Sequence, residues 1–217
     1  MDLLQTIFSN NRLVEEAVEQ AAPVLMRLAG KISCGLCAGG RIVCLGGDSS
    51  VPGEYGLSDR FVCPEPGEEE YDVTVKDAVI AVDGDFASSL AEQMRSFRRR
   101  GMLTACITAD AASPVASASE IAVCVAVEPE MESRSLKAGM AQQMALDALL
   151  TLVLAPLHAA MTGDDASAGD GPLAKAAATL MKEIPALDME SALELIRRHG
   201  TVRKAAKAYK ANVQAEL

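Results

Sequence analysis

Apolar residues along this chain change their spacing at a few well-marked positions, and the spacing predicts the elements. From Leu13 to Ala29 they recur three and four positions apart, which predicts an amphipathic helix, and a second helical stretch is predicted to run to Ala38. Four short continuous apolar runs follow, in the segments RIVCLGG, DAVIAVDGD, LTACITAD and IAVCVAVEP. Such runs, each closed by turn residues, are typical of strands that are buried on both faces of a parallel sheet.

Helical spacing returns between these runs. The segment FASSLAEQMRSFRRRG places Phe86, Leu90, Met94 and Phe97 on one helix face and ends at Gly101. A shorter helix, SPVASASE, is introduced by a Ser-Pro pair. The segment FVCPEP is a weaker candidate for an edge strand, because it holds two prolines. Strands that alternate with helices predict an α/β fold, in which a parallel sheet with right-handed crossovers carries helices on both faces.

The last third of the chain is predicted to be helical. A long apolar helix runs from Ala138 to His158, and the segment MTGDDASAGDGP that follows has the composition of a linker. Three short helices come next, in which Asp188 or Ser191 caps the second and Gly200 ends it. The predicted organisation is an α/β domain with N-terminal helices over residues 1–160, a linker over 161–172 and a helical tail over 173–217.

Composition and charge narrow the function classes. Half of the 217 residues are hydrophobic but only 3% are aromatic, and there is no tryptophan, so the core must be aliphatic. The net charge of −10 makes a general nucleic-acid surface unfavourable. The basic residues of HGTVRKAAKAY suggest a DNA-binding hairpin as an alternative, but we expect them to face water around a packed three-helix unit.

Two further patterns bear on the compartment. The first twenty residues lack a basic segment followed by an apolar one, so we expect no signal peptide. The longest apolar stretch, MALDALLTLVLAPL, carries Asp147 and is too short to span a bilayer. We therefore expect a cytoplasmic protein with no membrane partner.

The six cysteines agree with a reducing compartment. Cys44, Cys106 and Cys124 lie inside apolar runs and are expected to pack the core. Cys34 and Cys37 form a single C-x-x-C, which could be redox-active or half of a metal site. No second pair and no nearby histidine completes a tetrahedral set, so we expect two helical cysteines one turn apart, with no metal and no cofactor.

Loops with anion-binding chemistry follow two of the predicted strands, and Thr108 ends a third, where it is either a further ligand-facing hydroxyl or a cap. In an open parallel sheet, ligands bind at the carboxyl ends of the strands, where helix N-termini offer free N–H groups. The first loop is GGDSS and the second is DGDFASS, and both combine glycine with hydroxyl side chains. The serines could instead only cap helices, and the aspartates would repel an anion. The candidate anion-binding residues are Gly46, Gly47, Asp48, Ser49, Ser50, Gly84, Ser88, Ser89 and Thr108.

The order of these pieces, together with the segment SLKAGMAQQMALDALLT, resembles the sugar isomerase (SIS) domain family over about residues 10–160. The nearest branch is the group of N-acetylmuramic acid 6-phosphate etherases and glucokinase regulatory proteins. The resemblance implies a flavodoxin-like three-layer α/β/α sheet, a homodimer or higher homo-oligomer, and phosphosugar binding through the serines of both loops. It also places Lys137, with Glu130 and Gln142, near the site mouth or the dimer interface, and implies that the tail packs over the sugar site.

Two departures from the etherase pattern affect the expected chemistry. Where the etherases have Thr-Ser-Gly-Arg, this chain has Ser-Ser-Val-Pro, and Arg60 lies near the position of their acid–base glutamate. We therefore expect a phosphosugar-binding protein, a sugar-phosphate isomerase or lyase with a diverged site. Its candidate catalytic bases are Glu54 and Glu132. The alternative is a non-catalytic sensor of a phosphosugar or another anion.

Overall fold

The structure of the protein is a computed structural model that describes residues 3–46, 61–62, 73–83, 87–127, 134–162 and 172–215. Five strands lie in these ranges and form one parallel sheet. The strands are β1 (Ile42–Leu45), β2 (Phe61–Val62), β3 (Ala78–Val82), β4 (Leu103–Thr108) and β5 (Ile121–Cys124). The helices are α1 (Leu3–Cys37), α2 (Ala87–Arg99), α3 (Pro114–Ala118), α4 (Arg134–Thr162), α5 (Pro172–Glu183), α6 (Met189–His199) and α7 (Val202–Ala215).

The strands follow the spatial order β2-β1-β3-β4-β5. This is the doubly wound order in which the sheet grows to one side from β1 to β2 and to the other side from β1 through β3 to β5. The gap between β1 and β3 is therefore the switch point. Ile42 pairs with Ala78 and Leu45 with Ala81, so the carboxyl ends of these two strands lie level with each other.

Alternate strand residues face two separate layers of helices. Ile42, Ile80 and Ile107 are buried beneath α1 and α4, while Val43 and Val79 are buried beneath α2 and α3. Burying an aliphatic side chain of this size stabilises the fold by about 1.5–3 kcal/mol. Both faces of the sheet are covered by helices, so consecutive strand residues are buried on opposite faces. This explains why the strands are continuous apolar runs. The predicted α/β/α arrangement is confirmed.

Helix α1 differs from its prediction. The sequence predicted a helix to Ala29 and a second stretch to Ala38, whereas one helix runs from Leu3 to Cys37 and includes Pro23. A proline inside a helix costs one backbone hydrogen bond. The buried stripe of Leu25, Leu28, Ile32 and Leu36 nevertheless continues past Pro23 at helical spacing, and its packing keeps the helix intact.

Two other predicted elements can be compared with the structure. The long apolar helix α4 begins four residues before the predicted Ala138 and ends at Thr162 rather than at His158. The weak candidate FVCPEP does supply an edge strand, Phe61–Val62, which pairs with β1. The remainder of that segment lies outside the described residues. No helix in the described part of the chain is long and apolar enough to cross a membrane.

The three C-terminal helices have a hydrophobic core of their own, around Leu180, Ile196 and Val202. Of the two predicted caps, Asp188 is the residue at the N-cap of α6, where its Oδ1 accepts a hydrogen bond from the Ser191 backbone N–H at 2.7 Å. That hydrogen bond lowers the pKa of Asp188. Gly200, in the left-handed conformation with a φ of 77°, ends α6 as predicted, and α7 begins two residues later at Val202.

The tail lies at the amino edge of the sheet, where the strands begin. Val202 lies close to Gly39, just before β1, and Glu183 Oε1 pairs with Lys76 Nζ at 3.2 Å, just before β3. The sugar site was predicted at the opposite, carboxyl edge of the sheet. The expectation that the tail packs over the sugar site of the same chain is therefore wrong. Helices α5–α7 share a hydrophobic core of their own, so the sequence pattern alone does not fix where they pack on the sheet.

Candidate functional site

The carboxyl ends of β1 and β3 bring the starts of the first and second loops side by side. Leu45 pairs with Ala81, and Gly46 and Asp83 follow within one and two residues. The Asp83 backbone N–H donates to the Ile107 carbonyl at 2.9 Å, which extends the pairing of β3 with β4 by one residue. The predicted loops thus begin at the switch point of the sheet, where doubly wound folds bind their ligands.

Gly46 is the residue by which the first loop leaves the sheet. Its φ of 73° is in the left-handed region, and a Cβ at this position would lie 2.7 Å from the Val82 carbonyl oxygen and 2.9 Å from Leu90 Cδ1. A side chain here would therefore strain the backbone and push against β3 and α2 at once. The close approach of the two strand ends depends on glycine.

Asp83 is held from two neighbouring elements. Thr108 Oγ1, at the end of β4, donates to Asp83 Oδ2 at 2.9 Å, and Gln142 Nε2, on α4, donates to the Asp83 carbonyl at 2.8 Å. These contacts fix both the carboxylate and the backbone at the start of the second loop. The carboxylate of Asp83 is thus held in a fixed orientation at this edge. A carboxylate accepts hydrogen bonds, so it suits sugar hydroxyl donors better than a phosphate.

Thr108 was predicted to be either a ligand-facing hydroxyl or a cap. It is 1% exposed, and its Oγ1 accepts a hydrogen bond from the Asp110 backbone N–H at 3.0 Å. The Thr108 proton has two protein acceptors, Asp83 Oδ2 at 2.9 Å and the Asp110 carbonyl at 3.1 Å. A hydroxyl has a single proton, so it cannot donate to Asp83 and to a phosphate oxygen at the same time. We therefore assign Thr108 to positioning Asp83.

Lys137 is buried, with 8% exposure, near the start of α4. Its Nζ donates to Asn11 Oδ1 on α1, and it lies 3.6 Å from Met140 Sδ. Lys137 precedes Gln142 by five residues, so the two residues are about 7.5 Å apart along the axis of α4. Lys137 thus joins the starts of α1 and α4 beside the carboxyl edge, and two of its three protons are directed at protein atoms.

The remaining predicted residues divide into two groups. Ser89 is exposed in the first turn of α2, where backbone N–H groups have no helical partner, and Ser88 precedes it in that turn. The side chain of Ser88 lies outside the described part of the chain. The predicted residues that lie outside the described residues are Gly47, Asp48, Ser49, Ser50, Glu54, Gly84 and Glu132.

The Cys34–Cys37 pair does not form part of this edge. Cys34 is exposed and Cys37 buried in the last turn of α1, and neither forms a disulfide. Among the described residues, no group of three or more His, Cys, Asp and Glu side chains could hold a metal ion. Cys106 is fully buried in β4, as expected for a core cysteine, and burial raises its pKa from 9.0 to about 11, with the Asp83 charge adding to the shift.

The Cys106 shift predicts a loss of stability at alkaline pH. The folded state holds the Cys106 thiol in its neutral form. The contribution of this thiol to the free energy of unfolding is therefore fully present below the unfolded pKa of 9.0, and it decreases as the pH rises towards about 11. Between pH of about 8 and about 10.5, the wild type should lose about 1–2 kcal/mol more unfolding free energy than Cys106→Ala. Urea unfolding of both proteins across this range measures the difference, and equal pH slopes would contradict the assignment.

Comparison with known proteins shows which domain family this part of the chain is similar to. Residues 66–152 match the model of the SIS domain. The predicted SIS resemblance is confirmed. The SIS match begins before β3 and ends within α4, so it includes Asp83, Thr108 and Gln142 but not Gly46.

Similarity to known proteins extends over most of the length of this chain. The chain is 25% identical to N-acetylmuramic acid 6-phosphate etherase of Christiangramia forsetii over 250 aligned positions, which cover 96% of this chain and 90% of that protein. The Porphyromonas gingivalis enzyme of the same name is 27% identical over 248 positions, with 96% and 90% coverage. A solved sugar isomerase domain, from the RpiR transcription factor of Sphaerobacter thermophilus, has a TM-score of 0.45 and 16% identity, covering 85% of this chain and 98% of that one.

Proposed function

We propose that this chain binds a phosphorylated sugar at the carboxyl edge of its sheet, as a sugar-phosphate isomerase or lyase with a diverged site. The observation that carries the proposal is that Thr108 and Gln142 hold Asp83 at the switch point of the sheet. Gly46 lies at the same point and lets the ends of β1 and β3 approach each other closely. All of these except Gly46 lie within the stretch that matches the SIS domain. The location in the cytoplasm stays a prediction.

The orientation of the sugar follows from the charges at this edge. The N-terminus of α2 offers unpaired backbone N–H groups and a partial positive charge, which favour a phosphate beside Ser88 and Ser89. The Asp83 carboxylate would repel that phosphate but accept hydrogen bonds from sugar hydroxyls. We therefore place the phosphate over α2 and the sugar ring towards Asp83. The Lys137 side chain flanks the site from α4 in this proposal.

Catalysis is assigned to carboxylates that lie outside the described residues. Glu54 and Glu132 are the proposed bases for proton transfer at the carbon next to the sugar carbonyl. No cofactor or metal enters the proposal. The alternative function, a non-catalytic sensor of a phosphosugar or another anion, is favoured by the negative charge of Asp83, because this carboxylate would repel an anion that develops on the sugar during catalysis.

Binding is tested with two serines of the same helix. Titration calorimetry with N-acetylmuramic acid 6-phosphate, glucosamine 6-phosphate and fructose 6-phosphate should give a Kd for at least one of them. Ser89→Ala should raise that Kd about tenfold, because it removes a hydrogen bond to a charged group. Ser96→Ala, exposed two turns further along α2, is the control and should leave the Kd unchanged.

The same titrations separate the two functions. If the bound sugar is also converted, NMR of the mixture will show product, and Glu54→Gln or Glu132→Gln should abolish the conversion without changing the Kd. An unaltered sugar with a changed oligomeric state would support the sensor instead. The absence of binding by every sugar phosphate in the panel would refute both the enzyme and the phosphosugar sensor.

We also propose that the protein forms a homodimer through the start of α4. Leu136, Met140 and Met144 stand four residues apart on this helix and are 65%, 41% and 40% exposed. Side chains at this spacing form one stripe, and apolar stripes of this kind are typical of helix-to-helix interfaces.

The dimer is tested by placing charge in that stripe. Met140→Lys combined with Met144→Lys should convert the dimer to a monomer in light scattering coupled to size-exclusion chromatography. Met189→Lys is the matched control, because Met189 on α6 is 43% exposed but lies far from α4's first turns in the chain. A wild-type protein that is monomeric at high micromolar concentration would rule out the interface.

A further inference from the structure

A cleft at the amino edge of the sheet lies opposite the site described above. It is formed between helix α7 and the turn at residues 74–76, just before β3, and its volume is about 590 Å³. That volume is within the range of roughly 300–1,000 Å³ that is usual for small-molecule sites. The side chains that matter for its chemistry are Val75, Lys76, Val202, Arg203, Lys207 and Lys210.

The rim of this cleft is cationic. Arg203, Lys207 and Lys210 follow each other at spacings of four and three residues and therefore share one face of α7. Lys76 faces them from the turn, and the one carboxylate among the described lining residues, Glu183, pairs with Lys76 at 3.2 Å. Four cations thus meet one carboxylate, in a chain whose net charge is −10.

The helix that carries three of these four cations, α7, contains no acidic residue. Cations close to one another repel, and α7 has no acidic residue in its first turn, where Arg203 lies at the positive end of the helix dipole. A local arrangement that opposes electrostatic stability is typical of a functional surface. A bound anion would remove both the repulsion and the unfavourable dipole interaction.

The floor of the cleft is apolar. Val202 and Ala206 are 2% and 6% exposed and close it from α7, whereas Val75 is 68% exposed and stands in the turn opposite. An exposed valine beside lysines offers apolar contact area for an organic group rather than for water or a simple ion. The cleft therefore combines a surface for an apolar body with a rim for several negative charges.

We propose that this cleft binds an organic anion that carries two or more phosphates on an apolar body, the class to which nucleoside polyphosphates belong. The cationic row from Arg203 to Lys210 is about 10 Å long at the helical rise per residue, which suits a short polyphosphate. Nucleic acids need a much larger positive surface, commonly about 1,000 Å² or more of protein. The site is independent of the sugar site, and either can fail without the other.

ATP is the probe, and a pair of double variants gives the test. In titration calorimetry, Arg203→Gln combined with Lys207→Gln should weaken ATP binding at least about tenfold. Lys175→Gln combined with Arg197→Gln removes the same charge from exposed positions of the tail that do not line the cleft, and should leave the Kd unchanged. Ser89→Ala should also leave it unchanged, because that residue belongs to the opposite edge.

Two further ligands test the apolar floor and the class of molecule. Inorganic tripolyphosphate should bind more weakly than ATP, and adenosine should not bind measurably, because each lacks one half of the recognition. The proposal is overturned if the wild type does not bind ATP, if the control pair weakens binding as much as the cleft pair, or if tripolyphosphate binds as tightly as ATP. Binding of a short DNA duplex that only the cleft pair abolishes, without ATP binding, would assign the surface to nucleic acid instead.

Discussion

Replacing Asp77 with alanine is expected to lower the free energy of unfolding by about 3 kcal/mol or more. The Asp77 side chain is fully buried and accepts hydrogen bonds from the backbone N–H groups of Arg41, at 2.6 Å, and Thr74, at 2.8 Å. It also accepts from the Thr74 hydroxyl at 3.2 Å. Alanine would leave these donors without their carboxylate acceptor at the point where β1 and β3 begin. Urea unfolding followed by far-UV circular dichroism measures the effect.

An exposed aspartate provides the control for this result. Asp110 Oδ1 also accepts a backbone hydrogen bond, from Ala112 at 2.8 Å, but the residue is exposed. Water can replace that bond, so Asp110→Ala should cost less than about 1 kcal/mol. Asp77→Asn should fall between the two alanine variants, because its amide keeps one acceptor oxygen. An Asp77→Ala protein as stable as Asp110→Ala would show that the buried carboxylate does not organise this edge.

Gly46→Ala should both destabilise the protein, by about 3 kcal/mol, and weaken sugar-phosphate binding at least tenfold. The substitution combines a left-handed backbone with a Cβ 2.7 Å from the Val82 carbonyl. To relieve that contact, the end of β1 must move away from the end of β3. Thermal unfolding and titration with the sugar phosphate that the wild type binds measure the two effects separately.

Gly101 separates backbone strain from the contact. Its φ is 82°, close to that of Gly46, but a Cβ there would meet nothing within 4 Å. Gly101→Ala should therefore cost about 1–2 kcal/mol for the backbone alone, with unchanged ligand affinity. If both alanine variants cost the same and both bind the sugar phosphate normally, the close approach of Gly46 to β3 is unimportant for the site.

The strands were predicted well, because a strand that is buried on both faces is a continuous run of apolar residues in the sequence. Continuous apolar runs correctly marked β1, β3, β4 and β5. The pairing of Phe61–Val62 with β1 was harder to predict, because a two-residue strand has no periodicity. The continuity of α1 was missed since helix propensity is lowered near Pro23 and Gly30, and only tertiary packing of the stripe beyond them compensates.

The site was predicted in outline and not in its connections. Spacing placed Gly46 and Asp83 at strand ends, and the structure brings them to the same edge. That the Thr108 hydroxyl serves Asp83 depends on the register of β3 against β4, which no local pattern encodes. The amino-edge cleft was not predicted at all, because its walls come from residues 74–76 and from α7, more than a hundred residues apart.

Strand β3 physically connects the two edges. The turn that carries Lys76 precedes it, Asp83 follows it, and its five residues span about 17 Å between buried layers. Because both faces of β3 are packed, a shift at one of its ends disturbs the same close-packed layers that hold the other end. Thermodynamic linkage then requires reciprocity: if an anion at one end changes sugar affinity by some factor, the sugar must change anion affinity by the same factor.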